Sequence, residues 1–131
     1  MTDPKGNKDK TVLVVDDEVF VLEIVEAFVE QLGHKVLLAN SGHEALKIVR
    51  EYEGKVDLLL TDVIMPNMNG LELAETVVTD NPDVKVIFMS GCLQPAINSR
   101  NTPLFGNGFI QKPFSAKTIT THVKKALKEM A

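Results

Sequence analysis

Cys92 is the only cysteine in 131 residues. An intramolecular disulfide is therefore excluded, and no Cys/His spacing suggests a zinc site. The sequence suits a reducing compartment. Missing too is any apolar run long enough to span a bilayer, and the opening residues MTDPKGNKDK hold no apolar signal core. A cytoplasmic location without membrane contact is the expectation. A formal charge of -4 gives no general attraction to DNA or anionic lipid. The basic stretch HVKKALKEM near the end reads as the wet face of a helix, so direct nucleic-acid binding is not expected. Internal repeats and low-complexity tracts are also lacking. The remainder is ordinary globular composition, 44% hydrophobic and 24% charged, enough for one core without disulfides or structural metal. Residues 1–10 read as a flexible tail and 11–131 as one domain.

Within that domain two periodicities alternate. TVLVV, Thr11 to Val15, is a short β-branched run expected to form a buried strand. From Glu18 the pattern turns helical, with Val21, Ile24, Val25, Phe28 and Leu32 on one side and Gly33 placed to stop the helix. KVLLA reads as a second strand. SGHEALKIVREY follows as a helix, with Ser41 and Glu44 in a capping-box pattern. VDLLLT, VKVIFMS and GFIQK read as the third, fourth and fifth strands. The third helix, GLELAETVVTD, is expected to bury Leu71, Ala74, Val77 and Val78. The last starts at a Ser115 cap and buries Ile119, Val123, Ala126, Leu127 and Met130. Such alternation predicts an α/β fold, a parallel sheet with helices on both faces joined by right-handed crossovers. GCLQPAINSRNTPLFGNG, between the fourth and fifth strands, carries Pro95, Pro103 and three glycines. It reads as mostly loop, with any fourth helix short or irregular.

Ligands of open parallel sheets bind beyond the carboxyl ends of the strands, so the residues at those ends are informative. The first strand ends in Asp16-Asp17, the third in Asp62, the fourth in Ser90 and the fifth in Lys112. Pro66, Asn69 and Gly70 are turn-formers, which places Asp62 where the strand meets solvent. Three crowded carboxylates repel one another, and a hard divalent cation with oxygen ligands, Mg2+, relieves the repulsion. A lysine and a hydroxyl add little to metal binding, but they complete a site for a tetrahedral anion such as a phosphoryl group.

The fragments VVDDE, TDVIMPNMNG, MSG and FIQKPF, in this order and spacing from Val14 to Phe114, resemble the receiver domain of two-component response regulators. The resemblance spans nearly the whole chain. It implies a flavodoxin-like, doubly wound sheet of five parallel strands in the order 2-1-3-4-5, an order carried over from the family. It also implies a phosphorylation switch and not a turnover enzyme: Asp62 would accept a phosphoryl group from the phosphohistidine of a histidine kinase or phosphotransfer protein. Asp17 and Asp62 would ligate Mg2+, Asp16 would act through bound water, and the Ile64 backbone carbonyl would supply a further oxygen. Lys112 would pair with Asp62 and then with a phosphoryl oxygen, Ser90 would donate to another, and Phe109 matches the aromatic that follows that hydroxyl inward. The Lys112-Pro113 bond is expected to be cis. With the last helix at the end of the sequence given, output is expected through an unknown downstream protein partner, the chain being monomeric or weakly dimeric. It is either a stand-alone receiver or one cut from a longer protein such as a hybrid histidine kinase.

Taken singly, these residues have plainer roles. Asp16 or Asp17 could cap the next helix, Ser90 could be a turn residue, Lys112 a solvated charge and Phe109 core. His34, His43 and His122 read as surface residues, and Cys92 as a small, partly buried loop residue near the site mouth. Two other functions fit parts of the pattern. One is a docking module that is never phosphorylated, against which the complete set of functional groups argues. The other is a Mg2+-dependent aspartyl phosphatase, which would need a second acid where Ile64 stands.

Overall fold

TVLVV forms a strand because five consecutive apolar or β-branched residues can be covered on both faces, and all five are buried in β1 (Thr11–Val15). The computed structural model describes residues 10–91 and 108–128. The tail before Lys10, the segment from Cys92 to Asn107 that is expected to be mostly loop and the burial of Met130 lie outside them. After β1 come α1 (Val19–Glu30), β2 (Lys35–Ala39), α2 (Gly42–Glu51), β3 (Leu58–Asp62), α3 (Gly70–Asp80), β4 (Lys85–Ser90), β5 (Phe109–Gln111) and α4 (Ala116–Lys128). The strands pair in parallel in the order β2-β1-β3-β4-β5, as the resemblance implies.

Side chains alternate across the sheet and build two cores. Leu13, Val15, Leu59, Val86 and Phe88 meet Ala45 of α2 and Leu73, Ala74 and Val77 of α3. Val12, Val14, Leu58, Leu60, Ile87 and Met89 meet Leu22, Val25 and Val29 of α1 and Ile119, Val123 and Leu127 of α4. The buried face of α1 thus runs through Leu22 and Val29, with Val21, Phe28 and Leu32 at its edge, and Ile24 is only half-buried. In α3, Leu73 is buried and Leu71 and Val78 flank it.

Local signals fix the ends. Ser41 Oγ accepts from the Glu44 amide at 3.1 Å, while Glu44 reaches back to the Asn40 amide at 2.6 Å. Ser115 Oγ accepts from the Thr118 amide at 3.1 Å. Gly33 turns the chain out of α1 with φ 92°, a conformation open to glycine. His34, expected at the surface, is buried: that turn folds it against the start of β1, where its Nδ1 accepts from the Lys10 amide at 3.3 Å. At the same end of the sheet, Asp57 Oδ2 accepts from the Thr11 amide at 2.9 Å.

Candidate functional site

The order β1-β3-β4-β5 sets the carboxyl ends of four strands side by side. Register does the rest: Val15 lies opposite Thr61, Asp62 opposite Met89 and Ser90 opposite Gln111. The Lys112 amide donates to the Ser90 carbonyl at 2.9 Å, so the pairing of β4 with β5 continues one residue past the strand and carries Lys112 into the cluster. The Lys112-Pro113 bond is cis.

Asp62 does not stand on a loop tip in solvent. It is the last residue of β3 and is 6% exposed, and the β3–α3 connection folds back onto its backbone carbonyl. A tight turn carries this loop, with Asn67 at φ 71° and the Met68 amide donating to the Pro66 carbonyl at 2.8 Å. The loop ends in a capping box on α3: Asn69 Oδ1 accepts from the Glu72 amide at 2.8 Å and Glu72 from the Asn69 amide at 3.0 Å.

Carboxylate oxygens of Asp16, Asp17 and Asp62 lie within 4.8 Å of one another. Asp16 is fully buried and both its oxygens are engaged, Oδ1 by the Glu18 amide at 2.9 Å and Oδ2 by Lys112 Nζ at 2.6 Å. Lys112 Nζ also lies 3.4 Å from Asp62 Oδ2 and 3.7 Å from Glu18 Oε1. The lysine is therefore shared, and in this state its shortest contact is with Asp16 and not with the expected Asp62.

The electrostatics follow from burial and crowding. Burial, followed by repulsion from Asp16, pushes Asp62 from 3.8 up to about 6, against the pull of Lys112. Burial likewise holds Asp16 above the usual carboxylate range despite its lysine. Burial alone would lower Lys112, but the hydrogen bond and charge of Asp16, then those of Asp62, outweigh it and raise the ammonium above its ordinary value. One ammonium thus faces several carboxylates, and two of them hold protons more tightly than they would in water. The residues fit a hard divalent cation: the donors are all oxygens, they converge, and exposed Asp17 keeps the cluster open to solvent.

Ser90 is 3% exposed at the end of β4. Phe109 begins β5 opposite Phe88, half-buried against the core beneath α2 and α3. Ile64, two residues past Asp62, is 58% exposed; with Val19 and Phe20 it makes up the exposed large hydrophobics among the described residues. His43 is exposed and His122 half-buried, its Nδ1 2.9 Å from the Thr118 carbonyl. Cys92 lies outside the described residues. Three contacts escaped the sequence reading: Glu18 near Lys112, the Thr61 hydroxyl donating to the Asp62 carbonyl at 2.9 Å, and the approach of Gly70 to that carbonyl. The sequence signals for them are slight: a third acid, Glu18, directly after Asp16-Asp17, and Gly70 at the end of the turn that follows Asp62.

Comparison with known proteins concerns the chain as a whole. The family model described as response regulator receiver domain matches residues 12–124. The sensor kinase CckA of Brucella abortus is 40% identical over 129 residues, which cover 98% of this chain and 13% of that protein. The response regulator SaeR of Staphylococcus aureus is 25% identical over 118 residues, 90% of this chain and 50% of that one. The chain therefore spans half or less of these relatives. Among solved structures, a CheY-like receiver domain protein from Methanospirillum hungatei superposes with a TM-score of 0.85 at 25% identity, covering 94% of this chain and 97% of its own.

Proposed function

Because the chain belongs to the response regulator receiver domain family, we propose that it works as a phosphorylation switch in which Asp62 takes a phosphoryl group from a phosphohistidine. The donor is a histidine kinase or a phosphotransfer protein. One Asp62 oxygen attacks phosphorus in line with the P–N bond; that bond breaks, its electron pair leaves with the imidazole, and an acyl phosphate forms. The observation that carries the reading is the position of Asp62, buried at the centre of the cluster with Lys112 Nζ 3.4 Å away. An acceptor must be ionised to attack, and a carboxyl raised to about 6 is mostly ionised near neutral pH.

Asp17 and Asp62, with the Ile64 backbone carbonyl, would hold Mg2+, with Asp16 acting through water. The bound ion supplies charge neutralisation for the transferred group. Lys112 contributes a mobile cation: from its place among Asp16, Glu18 and Asp62 it can turn to a phosphoryl oxygen. Ser90 donates to another oxygen, and Phe109 follows Ser90 inward and alters the surface a downstream protein reads. The exposed apolar side chains Val19, Phe20 and Ile64 flank the acids in sequence and suit contact with the protein that delivers the phosphoryl group. No helix among the described residues is long and apolar enough to cross a membrane. The reading is of a cytoplasmic switch modified once per chain, not of a turnover enzyme.

The test is labelling of the intact chain by acetyl phosphate with Mg2+, followed by intact-mass measurement. One phosphoryl group is expected on the wild type and none on Asp62→Asn. Full labelling of the variant would overturn the acceptor assignment.

A further inference from the structure

The loop after β3 closes on the residue it leaves. The Gly70 amide donates to the Val63 carbonyl at 2.8 Å. A Cβ placed on Gly70 would stand 2.1 Å from the Asp62 carbonyl oxygen and 3.0 Å from both the Asp62 carbonyl carbon and Val63 Cα. These are backbone atoms, so no rotamer change relieves the overlap, and either the loop or the Asp62 peptide must shift. Space, not a left-handed φ, demands the glycine, which opens α3 in a helical conformation. The fully buried Thr61 hydroxyl donates to the same Asp62 oxygen at 2.9 Å.

We propose that Thr61 and Gly70 are positioning residues for phosphoryl transfer, gripping the Asp62 peptide between a hydroxyl and a missing side chain so that the acceptor carboxylate keeps its bearing on Lys112 and Asp17. The inference rests on Asp62 being the acceptor. In-line attack tolerates little displacement: misplacing a reacting group by ~1 Å costs up to about 100-fold in rate. A natural control is present in Gly42, which opens α2 as Gly70 opens α3. A Cβ there would meet Met68 first, Sδ at 2.8 Å and Cβ and Cγ at 2.9 Å, so the load falls on a side chain and not on the Asp62 peptide.

The experiment compares initial rates of labelling by acetyl phosphate at saturating Mg2+ for the intact chain and four variants, each corrected for its folded fraction by circular dichroism. Gly70→Ala is expected to slow transfer by about 30-fold or more and Thr61→Val by roughly 5-fold, with Thr61→Ser restoring the rate and Gly42→Ala within about twofold of wild type. The serine rescue and the Gly42 control separate positioning from general loss of stability. If folded Gly70→Ala and Thr61→Val both label at the wild-type rate, the inference is wrong. If Gly70→Ala does not fold, the threonine pair decides: a slow valine variant rescued by serine supports the grip, and a wild-type rate in Thr61→Val overturns it. An unlabelled wild type speaks instead against the acceptor reading and takes this inference with it.

Discussion

Removing the charge of Asp62 should make the metal-free protein more stable, an unusual outcome for a change at a buried polar residue. Asp62 is 6% exposed, and its carboxyl is raised from 3.8 to about 6, first by burial and then by Asp16. The folded state thus binds the proton more tightly than the unfolded chain. The stability this carboxyl contributes is complete below pH 3.8 and lost as pH rises through about 6. At about 1.4 kcal/mol per pKa unit, the ionised group costs the fold roughly 3 kcal/mol above neutral pH, the attraction of Lys112 already included. Asp62→Asn abolishes that cost and forgoes about 1 kcal/mol of hydrogen bonding relative to a protonated carboxyl, leaving a net gain of about 2 kcal/mol. With a urea slope of about 2 kcal/mol/M, the unfolding midpoint should rise by roughly 1 M near pH 8 in the presence of a chelator. Near pH 4 the gain should vanish, because the wild-type carboxyl is then protonated in the folded state. A variant that is less stable than wild type near pH 8, or that keeps its advantage near pH 4, would refute the reasoning.

Lys112→Met should destabilise the protein by about 3 kcal/mol at neutral pH, because it leaves buried Asp16 without its partner at 2.6 Å. The loss should shrink on acidification as Asp16 takes up a proton, which thermal melts across pH will show. Asp17→Ala should abolish Mg2+ binding in calorimetric titration with little change in stability, since Asp17 is exposed; an unchanged titration would reject the metal assignment. Ile64→Asn should change the decay rate of the phosphorylated protein several-fold, because the apolar residue two after the acceptor cannot orient the attacking water. Decay under matched Mg2+ and pH that ignores this change would place control of lifetime elsewhere. Asn69→Ala should cost about 1 kcal/mol by removing the capping box of α3, measurable by urea unfolding.

The elements that could be read along the chain are those whose information is local. TVLVV, the Ser41–Glu44 cap and the alternation of strand and helix announce themselves within a few residues, and the strand order came with the resemblance. Where a decision depended on the far side of a contact, sequence went astray. The apolar stripe of α1 passes through Leu22 and Val29 because α4 and β2 meet it there, although Ile24 fits the same spacing. His34 is buried by a turn at Gly33 that no periodicity records. At the site, the strand ends identified which groups gather, since topology alone brings them together. They could not say that Asp62 would be almost fully buried, nor that Lys112 would settle closest to Asp16, because those outcomes balance desolvation against distances of a few ångströms.

The pleat of the sheet also divides labour. Asp62 follows Leu58 and Leu60 on the side backed by α1 and α4, and Asp16 continues the same alternation from Val12 and Val14. Ser90 continues that of Val86 and Phe88, and Phe109 sits with them on the side backed by α2 and α3. Two of the acids, Asp16 and Asp62, therefore start from one side of the sheet, while the hydroxyl and the aromatic ring start from the other. A substitution in the α1–α4 layer bears on how the acids hold charge, whereas one in the α2–α3 layer bears on how the ring packs. Under the proposed switch, sensitivity to the incoming group and the form of the outgoing signal can drift apart in evolution, each tuned from its own side of the sheet.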